Sequence, residues 1–349
     1  MQKPQIAVLF GGCSTEYEVS LQSAAAVLTH WDSARFAALP VGITREGAWL
    51  RYTGPAARIA DGSWQQSGMC RPCLISPDRT RRELIEFAPS LTRRTLDAAF
   101  PVLHGKNGED GTVQGLLELA GLPVIGCGTL ASALCMDKDR AHKLAAQAGV
   151  RVPRSVAFSR GEDFAAIAAA AEAIGYPLFV KPVRSGSSLG VSRAAGPEAL
   201  RHAVDEAARH DDTILLEEAV TGFEVGCAVL GNEVLTVGAV DEIELAGGYF
   251  DYHEKYTLET AAIHCPARVP RGTAEMIRRT AARLYRVMGC RGFARVDLFL
   301  TPQGEAVFHE INTIPGLTVH SRYPAMMKAA GIPFGELLAR LIGLGLEGA

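Results

Sequence analysis

The stretch "GFARVDLFLTPQGEAVFHEINTIPG", residues 292–316, decides the fold. Two apolar runs, "ARVDLFL" and "AVFHEIN", flank the turn-rich "TPQGE", so they should pair as an antiparallel hairpin. Side chains two apart on a strand share a face. Arg295 and Asp297 therefore project together from the first strand, and Glu310 and Asn312 from the second. Two carboxylates and an amide oxygen then converge, a donor set suited to a hard cation such as Mg²⁺ that is usually completed by substrate phosphates. Charges alternating on a solvent-facing strand would give the same pattern. The apolar framing on both strands argues otherwise, because unpaired acids there are costly to bury.

Upstream, "KPVRSGSSLGV" begins at Lys181 and follows an apolar run, giving strand, glycine-rich loop and strand through "YPLFVKPVRSGSSLGVSRA". Gly186 and Gly190 admit backbone geometries closed to other residues, and bare amides with the Ser187 and Ser188 hydroxyls can cradle phosphate oxygens. A flexible hairpin tip is the alternative. The loop lacks the Walker pattern, which excludes a P-loop nucleotidase. Lys138, in "CMDKDR", adds a second cation. Together these suggest a nucleoside triphosphate held in a cleft between two lobes. A third constellation, "HGKNGEDGTVQG" at 104–115, interleaves four glycines with His104, Glu109 and Asp110, and reads as a loop shaped around a small polar ligand.

The 349 residues allow two or three modules. "IAVLFGG" at 6–12 reads as a buried strand feeding the helix "EVSLQSAAAVLTHW", and "AALPVGI", "AAFPVL" and "LPVIGC" continue an α/β pattern. The first strand lacks GxGxxG, so a dinucleotide reading has little support. The pattern predicts an α/β domain over 1–126, a central domain over 127–218 and a C-terminal domain over 219–349. One helix should run through "CMDKDRAHKLAAQAG", with a strand before Pro153. Another, "TAEMIRRTAARLYRVMG", should bury Ile277, Ala281, Leu284 and Met288, with Thr273 as N-cap and Gly289 as C-cap. A net charge of -3 excludes the basic footprint of a duplex binder. The lack of a long apolar stretch points to no membrane and a cytoplasmic setting. The eight scattered cysteines then read as free thiols, with Cys70 and Cys73 in a loop.

Five stretches in order, "GGCSTEYEVS", "HGKNGEDGTVQG", "KPVRSGSSLG", "GFARVDLFL" and "EINTIPG", make the chain resemble the D-alanine:D-alanine ligases of the ATP-grasp superfamily along essentially its whole length. "CMDKDRAHK", "EVGCAVLG" and "HSRYPAMM" resemble the vancomycin-resistance branch. The resemblance implies a three-domain ATP-grasp ligase, α/β with an N-terminal Rossmann-like domain and α+β in the grasp. It implies ATP, two Mg²⁺ ions (Mn²⁺ as an alternative), small-molecule substrates and a homodimer. The implied reaction joins D-alanine to a second D-amino acid through an acyl phosphate, for peptidoglycan precursor synthesis.

By position, the resemblance makes Asp297, Glu310 and Asn312 metal ligands, and Lys138, Lys181, Ser187 and Ser188 phosphate contacts. Glu217 through Val220 would meet the adenine, Glu224 the ribose, and Lys255 the γ-phosphate from a loop that closes over the site. Glu16 would bind the first substrate's ammonium, linked through Ser187 to Tyr256; Arg295 and the Gly316 amide would stabilise the oxyanion; His104, Ser321 and Arg322 would line the substrate pockets. His309, where the family usually has an apolar residue, faces away from Glu310 on a regular strand and reads as adenine-side packing or core, and His253 as solvated.

D-lactate-forming relatives are expected to carry a loop histidine where this chain has Lys255-Tyr256, so an amine nucleophile is favoured. Arg322 replaces the apolar residue of housekeeping ligases, which makes D-serine a rival to D-alanine as second substrate, although lactate-forming relatives share "SRYP". A non-catalytic ATP-binding relative is the remaining alternative. It is disfavoured because every matched position holds a competent residue, and a carboxylase subunit is disfavoured by Glu16 and the His104 loop.

Overall fold

The computed structural model describes residues 3–87, 89–245 and 261–347. Lys255, Tyr256 and His253 lie outside these residues.

A seven-stranded sheet is built from β1 (Gln5–Gly11), β2 (Ala37–Ile43), β3 (Trp49–Tyr52), β4 (Cys70–Ile75), β5 (Glu83–Glu86), β6 (Thr92–Thr95) and β7 (Ala98–Pro101), in the order β6-β5-β4-β3-β2-β1-β7. β1 lies parallel between β2 and β7, and its continuous apolar run is buried on both faces, as parallel strands require. The rest of the sheet is antiparallel. The helices α1 (Tyr17–Thr29), α2 (Ala56–Ala60) and α3 (Thr112–Leu119) belong to this lobe. Two expectations fail here. "LPVIGC" contributes one bridge, Ala99 to Val124, rather than a strand. Cys70 and Cys73 lie in strand β4, not a loop, with Cys73 buried and neither residue in a disulfide.

The helix expected through "CMDKDRAHKLAAQAG" is two: α4 (Thr129–Met136) and α5 (Lys138–Gln147). Asp137 breaks it, with extended φ and ψ and a side chain that accepts from Arg140 N at 3.0 Å. That capping bond competes with helical continuation. Before Pro153 there is only a bridge from Arg151 to Val307.

A four-stranded antiparallel sheet follows, β10-β9-β11-β8, from β8 (Ser155–Ser159), β9 (Leu178–Pro182), β10 (Ser192–Ala194) and β11 (Thr213–Glu218). The helices α6 (Phe164–Ile174) and α7 (Pro197–Ala207) bury Ile167, Ala171, Leu200 and Val204 against it. The last sheet, β14-β13-β12-β15-β16, comprises β12 (Phe223–Gly231), β13 (Leu235–Leu245), β14 (Ala261–His264), β15 (Phe293–Leu300) and β16 (Ala306–Asn312). Its faces divide by strand parity. Val225, Cys227 and Val229 join the core under α8 (Arg271–Val287), whereas Ala228 and Leu230 join that of α9 (Arg322–Ala329) and α10 (Phe334–Leu346). α8 buries Ile277, Ala281, Leu284 and Met288 as expected, but starts at Arg271 behind Pro270, so Thr273 sits in its first turn and is no cap. Met288 is the C-cap, and Gly289 follows at φ 68°.

The second core is continuous with that of the first sheet. Phe100, Phe293 and Tyr323 stack edge to face at 6.2 and 5.6 Å between centroids, joining β7, β15 and α9. The first lobe and the last sheet are thereby packed as one body, which fixes loops of the first lobe over the end of β16.

Candidate active site

The predicted hairpin forms: β15 pairs antiparallel with β16, with Asp297 opposite Glu310 and Arg295 opposite Asn312. The register shifts after Asp297, because Leu298 pairs with Phe308 and leaves His309 as an extra residue. This bulge breaks the alternation on which the reading of His309 depended. His309 turns toward the same cleft as Glu310 and packs on Phe299 at 4.8 Å between ring centroids.

Two adjoining clefts meet at Lys138, Ser185, Ser187 and Glu310. The larger, of about 500 Å³, is lined by Glu16, His104, Arg295, Asn312, Gly316, Ser321 and Arg322. The smaller, of about 130 Å³, lies between the last two sheets and is lined by Lys181, Ser188, Glu217, Val220 and Glu224. Every sequence-predicted site residue among the described ones therefore borders one cleft or the other, except Asp297, which lies beneath the floor they share.

Asp297 is buried, and Arg295 forks onto it with Nε to Oδ1 at 2.8 Å and Nη2 to Oδ2 at 2.6 Å. Burial pushes the Asp297 carboxyl up, but Arg295 and Arg322 outweigh it and hold the group ionised below its ordinary range. The Asn312 amide donates to Asp297 Oδ2 at 2.9 Å, and Lys138 Nζ stands 3.7 Å from Glu310. Two carboxylates and a rotatable carboxamide side by side, with charge supplied by neighbouring cations, fit a hard oxygen-bound ion.

In the glycine-rich loop the left-handed residues are not those expected. Gly190 has φ 73°, but Ser187 and Ser188 themselves hold φ 50° and 57°, whereas Gly186 is ordinary. Serines persist there at some cost in backbone energy, about 1 kcal/mol or more each, only where surrounding contacts fix them. One such contact reaches across the cleft, since the Ser187 hydroxyl donates to Glu16 Oε1 from the first lobe. A Cβ at Gly105 would fall 2.5 Å from Glu16 Oε2, so that carboxylate needs the bare backbone of the His104 loop. His104 is buried, its Nε2 3.2 Å from Ser23 Oγ, and burial keeps its imidazole neutral against the pull of Glu16.

In the smaller cleft Lys181 Nζ donates to Glu217 Oε1 at 2.6 Å, both residues being nearly inaccessible. His142, buried on α5, approaches Glu217 Oε2 at 3.8 Å and hydrogen-bonds His309 O at 2.9 Å through Nε2. Burial raises the Glu217 pKa, but Lys181 and His142 outweigh it and keep the carboxylate low.

Arg322 is not a surface charge. Its Nε and Nη2 fork onto Asp241 at 2.7 and 2.8 Å, Nη1 donates to Glu224 at 2.7 Å, and Nη2 lies 3.5 Å from Asp297. Burial lowers its pKa, and these three carboxylates reverse that and hold it well above the ordinary value. The space for it exists because β12 carries Gly226, where a Cβ would meet Arg322 Nη2 at 2.4 Å. Sequence reasoning missed Asp241, Ser23 and His142. An acid inside the apolar run "VLTVGAVDEIEL" was the legible signal for Asp241; the other two carry none.

Two sheets closing on a lysine-bearing cleft beside a carboxylate floor are the ATP-grasp arrangement. The family descriptions "D-ala D-ala ligase N-terminus" and "D-ala D-ala ligase C-terminus" match residues 5–127 and 144–343. A D-alanine--D-alanine ligase of Caldicellulosiruptor bescii is 43% identical over 99% of this chain and 96% of its own length. The vancomycin B-type resistance protein VanB of Enterococcus faecalis is also 43% identical, over 99% of this chain and all of its own length. The crystal structure of the VanG D-Ala:D-Ser ligase from Enterococcus faecalis superposes with a TM-score of 0.92 at 51% identity, covering 99% of this chain and 100% of that one. The chain belongs to the D-alanine–D-alanine ligase family.

Proposed function

We propose that this chain is an ATP-dependent ligase that forms a peptide bond between D-alanine and a second D-amino acid, D-alanine by default, for peptidoglycan precursors. Its three domains are read as 1–126, 127–218 and 219–349, and the enzyme as a cytoplasmic homodimer; among the described residues no single helix is long and apolar enough to cross a membrane. One observation carries the reading. Glu16 from the first lobe, Ser187 from the central sheet and the Arg295–Asn312 hairpin from the last sheet line one cleft.

In the first step a carboxylate oxygen of D-alanine attacks the γ-phosphorus of ATP and ADP leaves. In the second the neutral amine of the other amino acid attacks the acyl phosphate carbon, the carbonyl oxygen gains negative charge, and as the C–O bond to phosphate breaks the nitrogen gives up one proton and inorganic phosphate departs as the monohydrogen form. Glu16 holds the first ammonium and Ser187 keeps that carboxylate in place. Lys138, Lys181 and Ser188 attract the triphosphate, while Glu217, Val220 and Glu224 bind adenine and ribose. Lys255 and Tyr256, from outside the described residues, complete the γ-phosphate and first-substrate contacts. Asp297, Glu310 and Asn312 would hold Mg²⁺, two ions by family resemblance with Mn²⁺ as a substitute, which supplies charge neutralisation of the phosphates. Arg295 and the Gly316 amide stabilise the oxyanion. His104, Ser321 and Arg322 shape the substrate pockets.

D-serine is the second reading, and Arg322 supports it. Three of its five N–H groups are taken by Asp241 and Glu224, and a fixed guanidinium with spare donors can bind a hydroxyl. Phosphate release with ATP, Mg²⁺ and D-alanine, alone and with D-serine or D-lactate across a pH series, tests all of this. No release with any pair overturns the enzyme reading, and release only when D-serine is present overturns the default substrate.

A further inference from the structure

β16 ends at Asn312, so the turn that carries Gly316 runs on beyond the ladder of its own sheet. Its amides are bound instead by the first lobe. Ile314 N donates to Glu109 Oε1 at 3.1 Å, and Leu317 N donates to Ser23 Oγ at 3.2 Å. These are partners 205 and 294 residues distant in the chain. Each is itself held. Glu109 Oε2 accepts from Gly105 N at 2.9 Å, and the fully buried Ser23 hydroxyl lies 3.2 Å from His104 Nε2. Between the two anchored amides stand Pro315, which has no N–H, and Gly316, whose N–H meets no acceptor among the described residues.

We propose that Glu109 and Ser23 are positioning residues for the second half-reaction: they fix the turn on either side of Gly316 so that its amide is aimed before charge develops. The proposal rests on the reading of that amide as an oxyanion donor. A donor stabilises a developing charge only if it is already in place, and a displacement of about 1 Å can cost about 100-fold in rate. A free turn would have to be ordered at the moment of reaction. The bonds to Glu109 and Ser23 remove that cost, and they make the first lobe part of the machinery for peptide-bond formation. Phosphoryl transfer, which uses the lysines and the carboxylate floor, does not depend on them.

The two half-reactions can be read separately on the whole enzyme. Scrambling of oxygen-18 from the β,γ-bridge of ATP into non-bridging positions, with D-alanine present, reports reversible phosphoryl transfer; dipeptide release reports the sum of both steps. Glu109→Leu and Ser23→Ala should each leave scrambling within about 3-fold and slow dipeptide release about 10- to 100-fold, less than the roughly 100- to 1,000-fold for loss of a donor outright. Glu109→Gln keeps a carbonyl acceptor for Ile314 N and should recover most of the dipeptide rate. Equal losses in both measurements, or no loss in dipeptide release, overturn the proposal, and Ser23→Ala carries the test if Glu109→Leu does not fold. Arg295→Lys separates the layers. If it slows dipeptide release selectively while Glu109→Leu and Ser23→Ala do not, the clamp is wrong and the oxyanion reading stands; if it spares the second step too, that reading fails first.

Discussion

Two buried ion clusters beside the active-site clefts, those of Arg322 and Lys181, are finished to different degrees. Around Arg322 the guanidinium is met by Asp241 on two sides and Glu224 on a third, so each of its three nitrogens donates to a carboxylate. Around Lys181 the arrangement is incomplete: Glu217 Oε1 is bonded, but Glu217 Oε2 and the facing His142 Nδ1 have no hydrogen-bond partner among the described residues. A buried acceptor left unmade costs about 1–3 kcal/mol. The first cluster is therefore preassembled, whereas the second leaves a buried carboxylate oxygen and a buried imidazole nitrogen facing each other at 3.8 Å.

The hardest way to break the carboxylate floor between them is Arg295→Met. It removes both the fork on Asp297 and the proposed oxyanion cation, and kcat/KM should fall about 100- to 1,000-fold or more in a coupled ADP assay. Arg322→Met should cost about 3–5 kcal/mol in urea unfolding, because Asp241 is left buried and charged. Adding Asp241→Asn should return part of that loss, and an additive double mutant would show the cage is not a unit. The same Arg322→Met change should move the D-serine to D-alanine rate ratio toward D-alanine; an unchanged ratio removes Arg322 from specificity. Glu217→Gln should be milder. It weakens the Lys181 pair and raises the KM for ATP about 10-fold with little change in kcat, since it alters ground-state binding. As a surface reference, Lys143→Ala breaks an i,i+4 pair with Asp139 at 2.7 Å and should shift stability by about 0.5 kcal/mol or less.

The two clusters also differ in how far they could be read beforehand. Lys181 and Glu217 were both recognisable, but neither residue announces that it sits on the other. Arg322 could be placed at the substrate pocket, but nothing near it in sequence reveals its carboxylate cage, because its partners lie 81 and 98 residues away in the chain. His309 packs on Phe299 as a packing residue would, but the expected facing away from Glu310 failed for a local reason, a bulge that no pattern of alternation reveals. The expected helix across Asp137 failed for another local reason, a side-chain cap that competed successfully with helix propagation.

Sequence alone determined the hairpin of residues 292–316, the α/β opening and the glycine-rich loop, because strand alternation, apolar runs and turn residues are properties of short segments. Only tertiary structure decided which groups meet: Arg322 with Asp241, Glu16 with Ser187, and the turn on either side of Gly316 with Glu109 and Ser23. Those contacts come from packing the first sheet and the last into one core through Phe100, Phe293 and Tyr323. Burial makes such partners necessary, but packing alone selects them.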